Sequence, residues 1–300
     1  MRTLRLAGHQ AIGLDVLPSP FTDCHGSITD RALVQRCVEG VDAVLHTATL
    51  HKPHIVSHPQ QAFIDCNITG TLVLLEAAAA AHVGAFVFTS TTSTFGHALT
   101  PAAGQAAAWI TEAVVPVPKN IYGMTKVAAE DLCEIHHRRT GMPCLVLRTS
   151  RFFPEADDDD GKRAAYDDAN LKANEYLYRR VDIEDVVSAH LLAIDKAAEL
   201  RFARYLISAS SPFSRRDCEQ LRHDPHAVVK RAVPAFEAEY ARRGWRMMAD
   251  IERVYVNDLA RAQLGWTPRY DFAHVIARLA AGEDFCSPLA RAVGRKGYHR

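Results

Sequence analysis

The chain has 300 residues, of which 48% are hydrophobic and 23% are charged, and these proportions are typical of a soluble globular protein. Its 35 Lys and Arg residues balance its 35 Asp and Glu residues, so no net charge favours nucleic acid or an anionic membrane. No basic patch with interleaved aromatic residues is evident. We therefore expect neither nucleic acid nor a membrane as a partner.

The seven cysteines are scattered and never form a Cys-x-x-Cys pair, which predicts reduced thiols and no zinc site. No apolar run is expected to approach the roughly 18 residues that a membrane helix needs. The amino terminus lacks the charged-then-apolar layout of a signal peptide. These features predict a cytoplasmic protein without a metal site.

Strand-like and helix-like segments alternate along the first half of the chain. In order they are AIGLD (11–15, strand), ALVQRCVE (32–39, helix), VDAVLH (41–46, strand), 63–81 (helix), FVFTS (86–90, strand), 122–139 (helix) and CLVLR (144–148, strand). This alternation predicts a doubly wound parallel sheet of the α/β, Rossmann-like class. Gly40, Gly84 and Gly141 stand where we expect a helix to stop before the next strand.

The alternation breaks after residue 148. The segment ADDDDG (156–161) is expected to be a solvated surface turn, and a helix (181–194) and a strand (205–208) follow it. We predict a dinucleotide-binding domain from residues 1–150 and 179–210. Residues 151–178 and 211–300 are predicted to form a smaller substrate-binding lobe.

The segment IYGMTK places Tyr122 four residues before Lys126, about one helical turn away on the same face. The lysine charge is expected to lower the tyrosine pKa from its ordinary value near 10. Such a tyrosine can exchange a proton with an alcohol while hydride moves to or from a nicotinamide ring. The six hydroxyl residues of TSTTST (89–94) end a strand at the edge where parallel sheets bind ligands. By spacing alone, two polar residues on a surface helix remain an alternative.

Five segments together resemble the extended short-chain dehydrogenase/reductases, the NAD-dependent epimerase/dehydratase group. They are GVDAVLHTA (40–48), NITGTLVLLEAA (67–78), FVFTSTTSTFG (86–96), YGMTKVAAE (122–130) and LGWTP (264–268). The resemblance implies NAD as cofactor, Tyr122 as catalytic acid/base, and Lys126 as the residue that lowers its pKa and bonds the nicotinamide ribose. It implies that Thr91 orients the substrate oxygen. Thr92 is the alternative residue for this role and is also expected to contact substrate. It also implies that Asn67 supports the lysine through water, unless it only bonds backbone.

The resemblance further implies a set of cofactor contacts. Asp15 would accept hydrogen bonds from the adenosine ribose and disfavour the 2′-phosphate of NADP, unless it only caps the following turn. Ser27 and Ile28 lie where related proteins contact the adenine, although Ser27 replaces the usual aspartate. Thr47 and Ala48 close the segment that resembles the fourth strand of the family, and we expect them to line the cofactor.

The chain departs from the family pattern in two places. The family opens with a strand and a G-x-x-G-x-x-G turn, whereas MRTLRLAGHQAIGLD (1–15) is predicted as the end of the first helix followed by the second strand. The first strand and its phosphate loop are therefore expected to be missing. Whether the chain binds the cofactor without them is left open. Arg151 stands where nucleotide-sugar enzymes usually carry Asn, and it could still hold a phosphate. The loop HKPH (51–54) is expected to face substrate or solvent.

The predicted function is NAD-dependent redox chemistry at a hydroxyl or carbonyl of a small-molecule substrate. A nucleotide-sugar epimerase or dehydratase is the leading subclass by resemblance. A 3β-hydroxysteroid- or dihydroflavonol-type reductase is the alternative, as is a catalytically silent relative that has lost its cofactor. Pairing of two subunits through helices 63–81 and 122–139 is left open.

Overall fold

The computed structural model describes residues 1–295 and alternates strands with helices over most of its length. The strands are β1 (Leu14–Asp15), β2 (Cys24–His25), β3 (Ala43–His46), β4 (Ala85–Thr91), β5 (Ala108–Ile110), β6 (Cys144–Thr149), β7 (Phe202–Ile207) and β8 (Arg253–Tyr255). The α-helices are α1 (Arg2–Leu6), α2 (Arg31–Val38), α3 (Gln60–Phe63), α4 (Gly70–Ala80), α5 (Ile121–Thr140), α6 (Asp160–Ala165), α7 (Asp168–Glu175), α8 (Ile183–Leu200), α9 (Pro225–Ala232), α10 (Phe236–Arg243), α11 (Asp258–Leu264), α12 (Phe272–Ala280) and α13 (Pro288–Val293). A π-helical segment, Ile64–Thr69, joins α3 to α4, and short 3₁₀ turns include Lys52–Val56 and Thr92–Phe95.

The main sheet has four strands in the order β3-β4-β6-β7. Strands β3 and β4 are parallel, with Ala43 opposite Ala85 and His46 opposite Phe88. Two further pairs, β1 with β2 and β5 with β8, are also parallel. The order of the four strands requires a crossover between β4 and β6, which α5 spans along the chain. The predicted α/β class is confirmed.

The first fifteen residues form a short helix, a turn and a short strand. Helix α1 ends before Gly8, whose φ of 84° lies in the left-handed region, and β1 comprises only the last two residues of the predicted strand 11–15. In the described part of the chain β1 pairs with β2 alone, and these two strands form a sheet separate from the four-stranded one. The predicted order of a helix end followed by a strand is what these residues show.

The chain divides into two compact units. Unit 1 comprises residues 1–94, 118–147 and 190–204, and unit 2 comprises residues 95–117, 148–189 and 205–300, of which 295 is the last described. The core of unit 1 combines apolar side chains of α2, α4, α5, β4 and β6, among them Val34, Leu75, Ala78, Phe86, Phe88, Ala129 and Val146. The core of unit 2 is larger and includes Leu171, Leu177, Val229, Phe236, Val254, Phe272 and Val275. The functional division into a cofactor domain and a substrate lobe stays a prediction.

The predicted helix 63–81 is a composite of α3, the π-helical segment and α4. Its stop also differs from the prediction, because the left-handed residue is His82, with φ 55°, and not Gly84. Gly84 instead donates its N–H to Asp42 O at 2.9 Å, and a Cβ at Gly84 would stand 3.3 Å from that oxygen. The glycine therefore permits the close approach of two backbones. The predicted stop at Gly141 is confirmed, since this residue ends α5 with φ 74°.

Within residues 1–295, the segment Gln60–Ala80 is long and apolar enough to cross a membrane by length and composition. The expectation that no segment approaches this length was therefore wrong. Half of its apolar 18-residue window is buried, and Val73, Leu75 and Ala78 pack in the core of unit 1. Core helices of soluble proteins satisfy the same criterion, so the prediction about membranes stays a prediction.

Candidate active site

The predicted Tyr–Lys pair lies on a buried face of α5 near its amino-terminal end. Asn120 begins this helix by accepting a hydrogen bond from Gly123 N on its side-chain oxygen, at 3.0 Å. Tyr122 is 8% exposed and Lys126 is 2% exposed, so neither belongs to a solvated helix face. Helix α5 packs against β4, whose last residue is Thr91. The alternative of a surface helix is excluded by this burial.

Lys126 Nζ is held by β4. It donates to Thr89 O at 2.7 Å and lies 3.9 Å from the centroid of the Phe88 ring, a cation–π distance. Burial lowers the pKa of Lys126 to about 8, against the opposing fields of Glu130, Cys133 and Cys66. The ammonium group therefore remains mostly charged at pH 7, at a cost in desolvation.

Tyr122 is hydrogen-bonded to Thr91, the residue predicted to orient the substrate oxygen. Burial raises the pKa of Tyr122 to about 12, and the Thr91 hydroxyl offsets only part of that increase. The expected lowering of the tyrosine pKa is therefore wrong for the protein in this state, because desolvation of the phenolate outweighs any effect of the neighbouring lysine. At neutral pH the phenol is protonated and is suited to donate a proton.

Gly123 allows α5 to approach the segment that follows β4. A Cβ at this position would stand 2.8 Å from Ser93 O, closer than real Cβ contacts. Ser93 N donates to Thr91 Oγ1 at 3.1 Å, so the same short segment also bonds the hydroxyl of Thr91. Glycine beside the tyrosine is thus a packing requirement that the sequence analysis did not identify. Any larger residue would require α5 or the segment after β4 to shift.

Asn67 lies in the π-helical segment and is 1% exposed. Its side-chain oxygen accepts from Leu50 N and from the Thr49 hydroxyl, each at 2.9 Å. Its amide nitrogen donates to Leu50 O at 2.9 Å and to Thr125 Oγ1 at 3.0 Å. These contacts join the loop after β3 to the residue that precedes Lys126, and together they use all four hydrogen-bonding positions of the amide. The backbone bonding that we considered as an alternative is present, and support of the lysine through water stays a prediction.

His46, the last residue of β3, is a buried neighbour of this group. Burial, with a smaller effect from Lys126, lowers its pKa to about 3, so the ring is neutral at all physiological pH values. Its Nε2 lies 2.8 Å from the hydroxyl of Thr71, and its ring centroid is 5.2 Å from that of Phe88. His46 was not predicted as a site residue, although it ends a strand that the sequence predicted.

The residues predicted to contact the adenosine half of NAD lie elsewhere in unit 1. Asp15 is exposed, and its Oδ1 accepts a hydrogen bond from Leu17 N at 2.9 Å. It therefore caps the following turn, which was the alternative to a cofactor contact. Ser27 Oγ accepts from Thr29 N at 3.1 Å. The side chain of Ile28 is buried in the core of unit 1.

The two residues predicted from the end of β3 differ in exposure. Thr47 is exposed, and Ala48 packs against the core of unit 1. Contact of these residues, and of Asp15, Ser27 and Ile28, with a cofactor stays a prediction.

Arg151 belongs to unit 2, where its guanidinium is engaged within the protein. It donates to Ala156 O at 2.6 Å and to Asp157 Oδ2 at 3.3 Å, and Asp157 also accepts from Arg179. The solvated turn predicted for 156–161 is therefore wrong for Asp157, which is 6% exposed. Two partly buried guanidinium groups are stabilised by a counter-charge, and this buried aspartate supplies it. Binding of a substrate phosphate by Arg151 stays a prediction, as does a substrate contact of Thr92, which is 7% exposed.

The loop HKPH contains a reciprocal cap and no metal cluster. His51 and His54 bond each other's backbone N–H groups at the start of the turn Lys52–Val56, and their ring centroids are 4.7 Å apart. Across residues 1–295, no group of three or more His, Cys, Asp or Glu side chains is arranged to hold a metal ion.

Comparison with known proteins identifies the family. The sequence profile of the NAD dependent epimerase/dehydratase family matches residues 1–207, and the chain belongs to this family. The predicted cofactor, NAD, is the one that the family's description names.

Two curated relatives show what this chain is similar to. It is 28% identical to a dTDP-glucose 4,6-dehydratase of Streptomyces antibioticus over 284 residues, which cover 86% of this chain and 74% of that protein. It is 29% identical to a UDP-glucose 4-epimerase of Rhizobium meliloti (strain 1021) over 255 residues, which cover 78% of this chain and 74% of that protein.

Solved structures support the fold. A short-chain dehydrogenase/reductase superfamily protein from Agrobacterium tumefaciens with bound NAD superposes with a TM-score of 0.64 at 21% identity, covering 97% of this chain and 92% of that one. A UDP-glucose 4-epimerase of Thermotoga maritima with UDP-glucose gives a TM-score of 0.62 at 20% identity and covers 94% of both chains.

Proposed function

We propose that this protein is an NAD-dependent oxidoreductase that acts on a secondary hydroxyl or carbonyl of a nucleotide-sugar. The carrying observation is the buried group at the end of β4, where Tyr122 bonds Thr91 and Lys126 bonds Thr89. The phenol and ammonium of α5 and the hydroxyl of β4 form a group that can transfer a proton to or from a sugar hydroxyl. The names of the curated relatives support a nucleotide-sugar as the substrate class.

The residues of this chain fit the two ribose units of NAD. Asp15 presents an exposed carboxylate at the end of β1, and Lys126 on α5 carries a buried ammonium beside Thr89 of β4. A carboxylate accepts hydrogen bonds from ribose hydroxyls, and an ammonium donates to them. Asp15 would hold the adenosine ribose and Lys126 the nicotinamide ribose. When bound, NAD supplies a hydride acceptor and, once reduced, a hydride donor.

Tyr122 is the proton carrier in the proposed reaction. Because its phenol is protonated at neutral pH, it can give its proton to a substrate carbonyl oxygen as that carbonyl is reduced. The resulting phenolate is stabilised by the Thr91 hydroxyl and by the positive charge of Lys126 on the same helix face. In the oxidation direction the phenolate takes the proton of the substrate hydroxyl. Thr91 holds the substrate oxygen beside the phenol.

Epimerisation is the reaction that the neighbouring residues support best. Elimination of water from a sugar needs an additional proton donor for the leaving hydroxyl and a base for the carbon acid. The residues that flank Thr91 along the chain, Ser90, Thr92 and Ser93, carry only hydroxyl groups. Removal of hydride from a carbinol carbon and its return to the opposite face needs only the one proton carrier.

Binding and turnover test this proposal in sequence. Purified protein is titrated with NADH while nicotinamide fluorescence is followed, and it is then incubated with NAD and a panel of UDP- and dTDP-hexoses whose products are identified by NMR. We expect saturable binding and interconversion of 4-epimers. Folded protein that binds no NADH, or that binds it and converts no nucleotide-sugar, would contradict the proposal.

The Tyr122→Phe variant tests the assigned acid. General acid/base catalysis contributes about 10²–10⁴-fold, so we expect turnover to fall by about 10³-fold with the circular dichroism spectrum retained. The matched control is Tyr270→Phe, which removes the phenol of a buried tyrosine in unit 2 and should leave turnover unchanged. Turnover retained by Tyr122→Phe would exclude this residue as the proton carrier.

The proposal includes a cytoplasmic location and a homodimer paired through α4 and α5. On α5, Met124 and Ile135 are 49% and 47% exposed, and their separation of eleven residues places them on one side of the helix. Sedimentation velocity on the wild type and on Ile135→Glu tests this part. A monomeric wild type would remove the dimer from the proposal and leave the catalytic assignment intact.

A further inference from the structure

Three consecutive residues of β4 bind three residues spaced one turn apart on α5. Thr91 bonds Tyr122, Thr89 O accepts from Lys126, and Ser90 Oγ donates to Glu130 Oε1 at 2.5 Å. Residues four apart on a helix share a face, so the three helix side chains form one row. Tyr122 and Lys126 take part in the proposed reaction. Glu130, the third residue of the row, takes no part in it.

Glu130 is built into the interior of unit 1. It is 1% exposed, and besides Ser90 it faces Arg204, whose Nε lies 3.4 Å from Glu130 Oε2. Arg204 also pairs with Glu134 at 2.8 Å and with Asp131 at 3.2 Å, so its charge is shared among three carboxylates. A carboxylate buried this deeply is costly unless it is paired and hydrogen-bonded, as Glu130 is.

The groups around Lys126 come from four elements of unit 1, and those that titrate come from three of them. They are His46 on β3, Cys66 on the π-helical segment, and Cys133 and Glu130 on α5, while Phe88 and Thr89 O face Nζ from β4. Burial lowers the pKa of His46 and raises the pKa values of Cys66 and Cys133, so all three are neutral near pH 7. Glu130, in contrast, forms an ion pair with Arg204 and is therefore the anion of this group.

We propose that Glu130 is a positioning residue for Lys126: its carboxylate, fixed by Ser90 and Arg204, keeps the buried ammonium charged and bonded to β4 at neutral pH. The electrostatic part of this proposal concerns the chain alone. Its consequence for turnover rests on the proposed function, because a neutral lysine would no longer stabilise the phenolate of Tyr122.

The direct test measures the titration of Lys126 in the protein without substrate. Protein labelled with ¹³C at the lysine ε-carbons is titrated by NMR, and the Lys126 signal is assigned with Lys126→Arg. We expect Glu130→Gln, which keeps the shape and the Ser90 contact, to lower the titration midpoint by at least one pH unit, a tenfold loss of proton affinity. A midpoint within 0.3 pH units of the wild type, in a folded variant, would overturn the proposal.

Glu134→Gln is the matched control. Glu134 lies on the same helix one turn further along and binds the same Arg204, but its charge is not among those that shift the pKa of Lys126. We expect its midpoint to equal that of the wild type. Glu130→Asp keeps the charge and should recover at least half of the shift.

The Ser90→Ala variant replaces Glu130→Gln in this test if Glu130→Gln does not fold. The variant leaves the carboxylate without its hydroxyl donor and should shift the Lys126 midpoint in the same direction by a smaller amount. An unshifted midpoint in Ser90→Ala would then overturn the proposal.

The activity measurement separates this inference from the proposed function. In the wild type, turnover should fall as pH rises through about 8, the pKa of Lys126. In Glu130→Gln this alkaline limb should move down by the same interval that NMR reports, whereas a merely structural role would lower turnover equally at all pH values. If no nucleotide-sugar is turned over, the proposed function fails and the NMR titration still decides the role of Glu130.

Discussion

Burial favours the neutral forms in two groups of titratable residues in this protein, and neighbouring charges reverse that effect in only one of them. In unit 1, burial raises the pKa of Tyr122 to about 12 and lowers that of Lys126 to about 8, so both groups are pushed towards their neutral forms. In unit 2, burial alone would raise the pKa of Glu175, but Arg179, Arg180 and Arg151 together hold it well below its ordinary value. In the first group the neighbouring charges offset only part of the effect of burial on the pKa values. In the second group the arginine charges outweigh it.

The contacts explain this difference. Glu175 accepts from Arg180 Nε at 2.8 Å and from Arg179 at 2.5 Å, and Arg179 also bonds Asp157. Lys126 has a backbone carbonyl and an aromatic face as its nearest partners. Charges that are fully paired stay ionised and stabilise architecture, whereas Tyr122 and Lys126, which lack a direct counter-ion, have pKa values shifted towards their neutral forms.

Removing the carboxylate of Glu175 should produce the largest effect on stability. Glu175→Gln leaves the buried Arg180 without its anion and leaves Arg179 with Asp157 alone, and we expect the free energy of unfolding to fall by about 3–5 kcal/mol. The measurement is urea denaturation at pH 7. Because the folded pKa of Glu175 lies below its unfolded value of 4.5, its contribution is complete above pH 4.5 and is lost in stronger acid.

The deficit of Glu175→Gln relative to the wild type should therefore shrink below pH 4.5. Glu199→Gln is the control, since it breaks an exposed ion pair with Lys196. A deficit no larger than that of the control would show that the unit 2 cluster is not compensated as described.

Removing the charge of Lys126 should increase the stability of the protein, whereas removing that of Glu175 should decrease it. The pKa of this group falls from 10.5 to about 8 on burial, so below pH 8 the folded protein bears the cost of a desolvated charge. Lys126→Met should raise the free energy of unfolding at pH 7 by about 1–3 kcal/mol while lowering turnover by about 100-fold.

Between pH 8 and 10.5 the unfolded wild type holds a proton that the folded protein has lost. The stability of the wild type should therefore rise with pH in that window and approach that of Lys126→Met. Denaturation curves at pH 7 and pH 9.5 check this, and a destabilised Lys126→Met would break the contrast between the two units.

The hydroxyl that bonds Tyr122 should have a smaller effect on turnover. Thr91→Val removes the donor from the phenolate and the acceptor of Ser93 N, and we expect turnover to fall about 10–30-fold and the free energy of unfolding to fall by about 1–3 kcal/mol. Thr92→Val, at the rival position, should change turnover less than threefold. Steady-state kinetics on both variants would reverse the assignment if Thr92→Val were the more damaging.

The smallest expected effect concerns the choice of dinucleotide. Asp15→Asn keeps a side-chain oxygen for Leu17 N and removes the negative charge that repels a 2′-phosphate. We expect the affinity for NADPH relative to NADH to rise about fivefold, measured by fluorescence titration with both. Asp65→Asn, another exposed aspartate of unit 1, serves as the control, and an unchanged ratio in Asp15→Asn would remove this residue from the cofactor site.

Local sequence predicted the elements of the site better than their partners. The helix predicted at 122–139 is observed at Ile121–Thr140, because Asn120 and Gly141 are recognisable caps next to their helix. The pairing of Ser90 with Glu130 was missed, although the spacing of four residues from Lys126 to Glu130 was a visible signal. The bond joins residues 40 positions apart, so it depends on how α5 lies against β4 and not on any local pattern.

The acidic loop and the long helix show the same limit. The charges of ADDDDG predicted solvation, yet Asp157 is buried because Arg151 and Arg179 converge on it from other segments. The helix predicted at 63–81 was right in type and wrong in detail, since the π-helical turn at Asn67 accommodates side-chain bonds to the loop after β3.

The alternation of strands and helices, the helix caps and the spacing of Tyr122 and Lys126 are determined by the sequence itself, because each depends on residues within a few positions of one another. The ionisation of those side chains was decided by tertiary structure. A pKa depends on how much water burial removes and on which charges lie within a few ångströms, and both are set by segments far apart in the chain. The same tyrosine and lysine on an exposed helix would have ordinary pKa values.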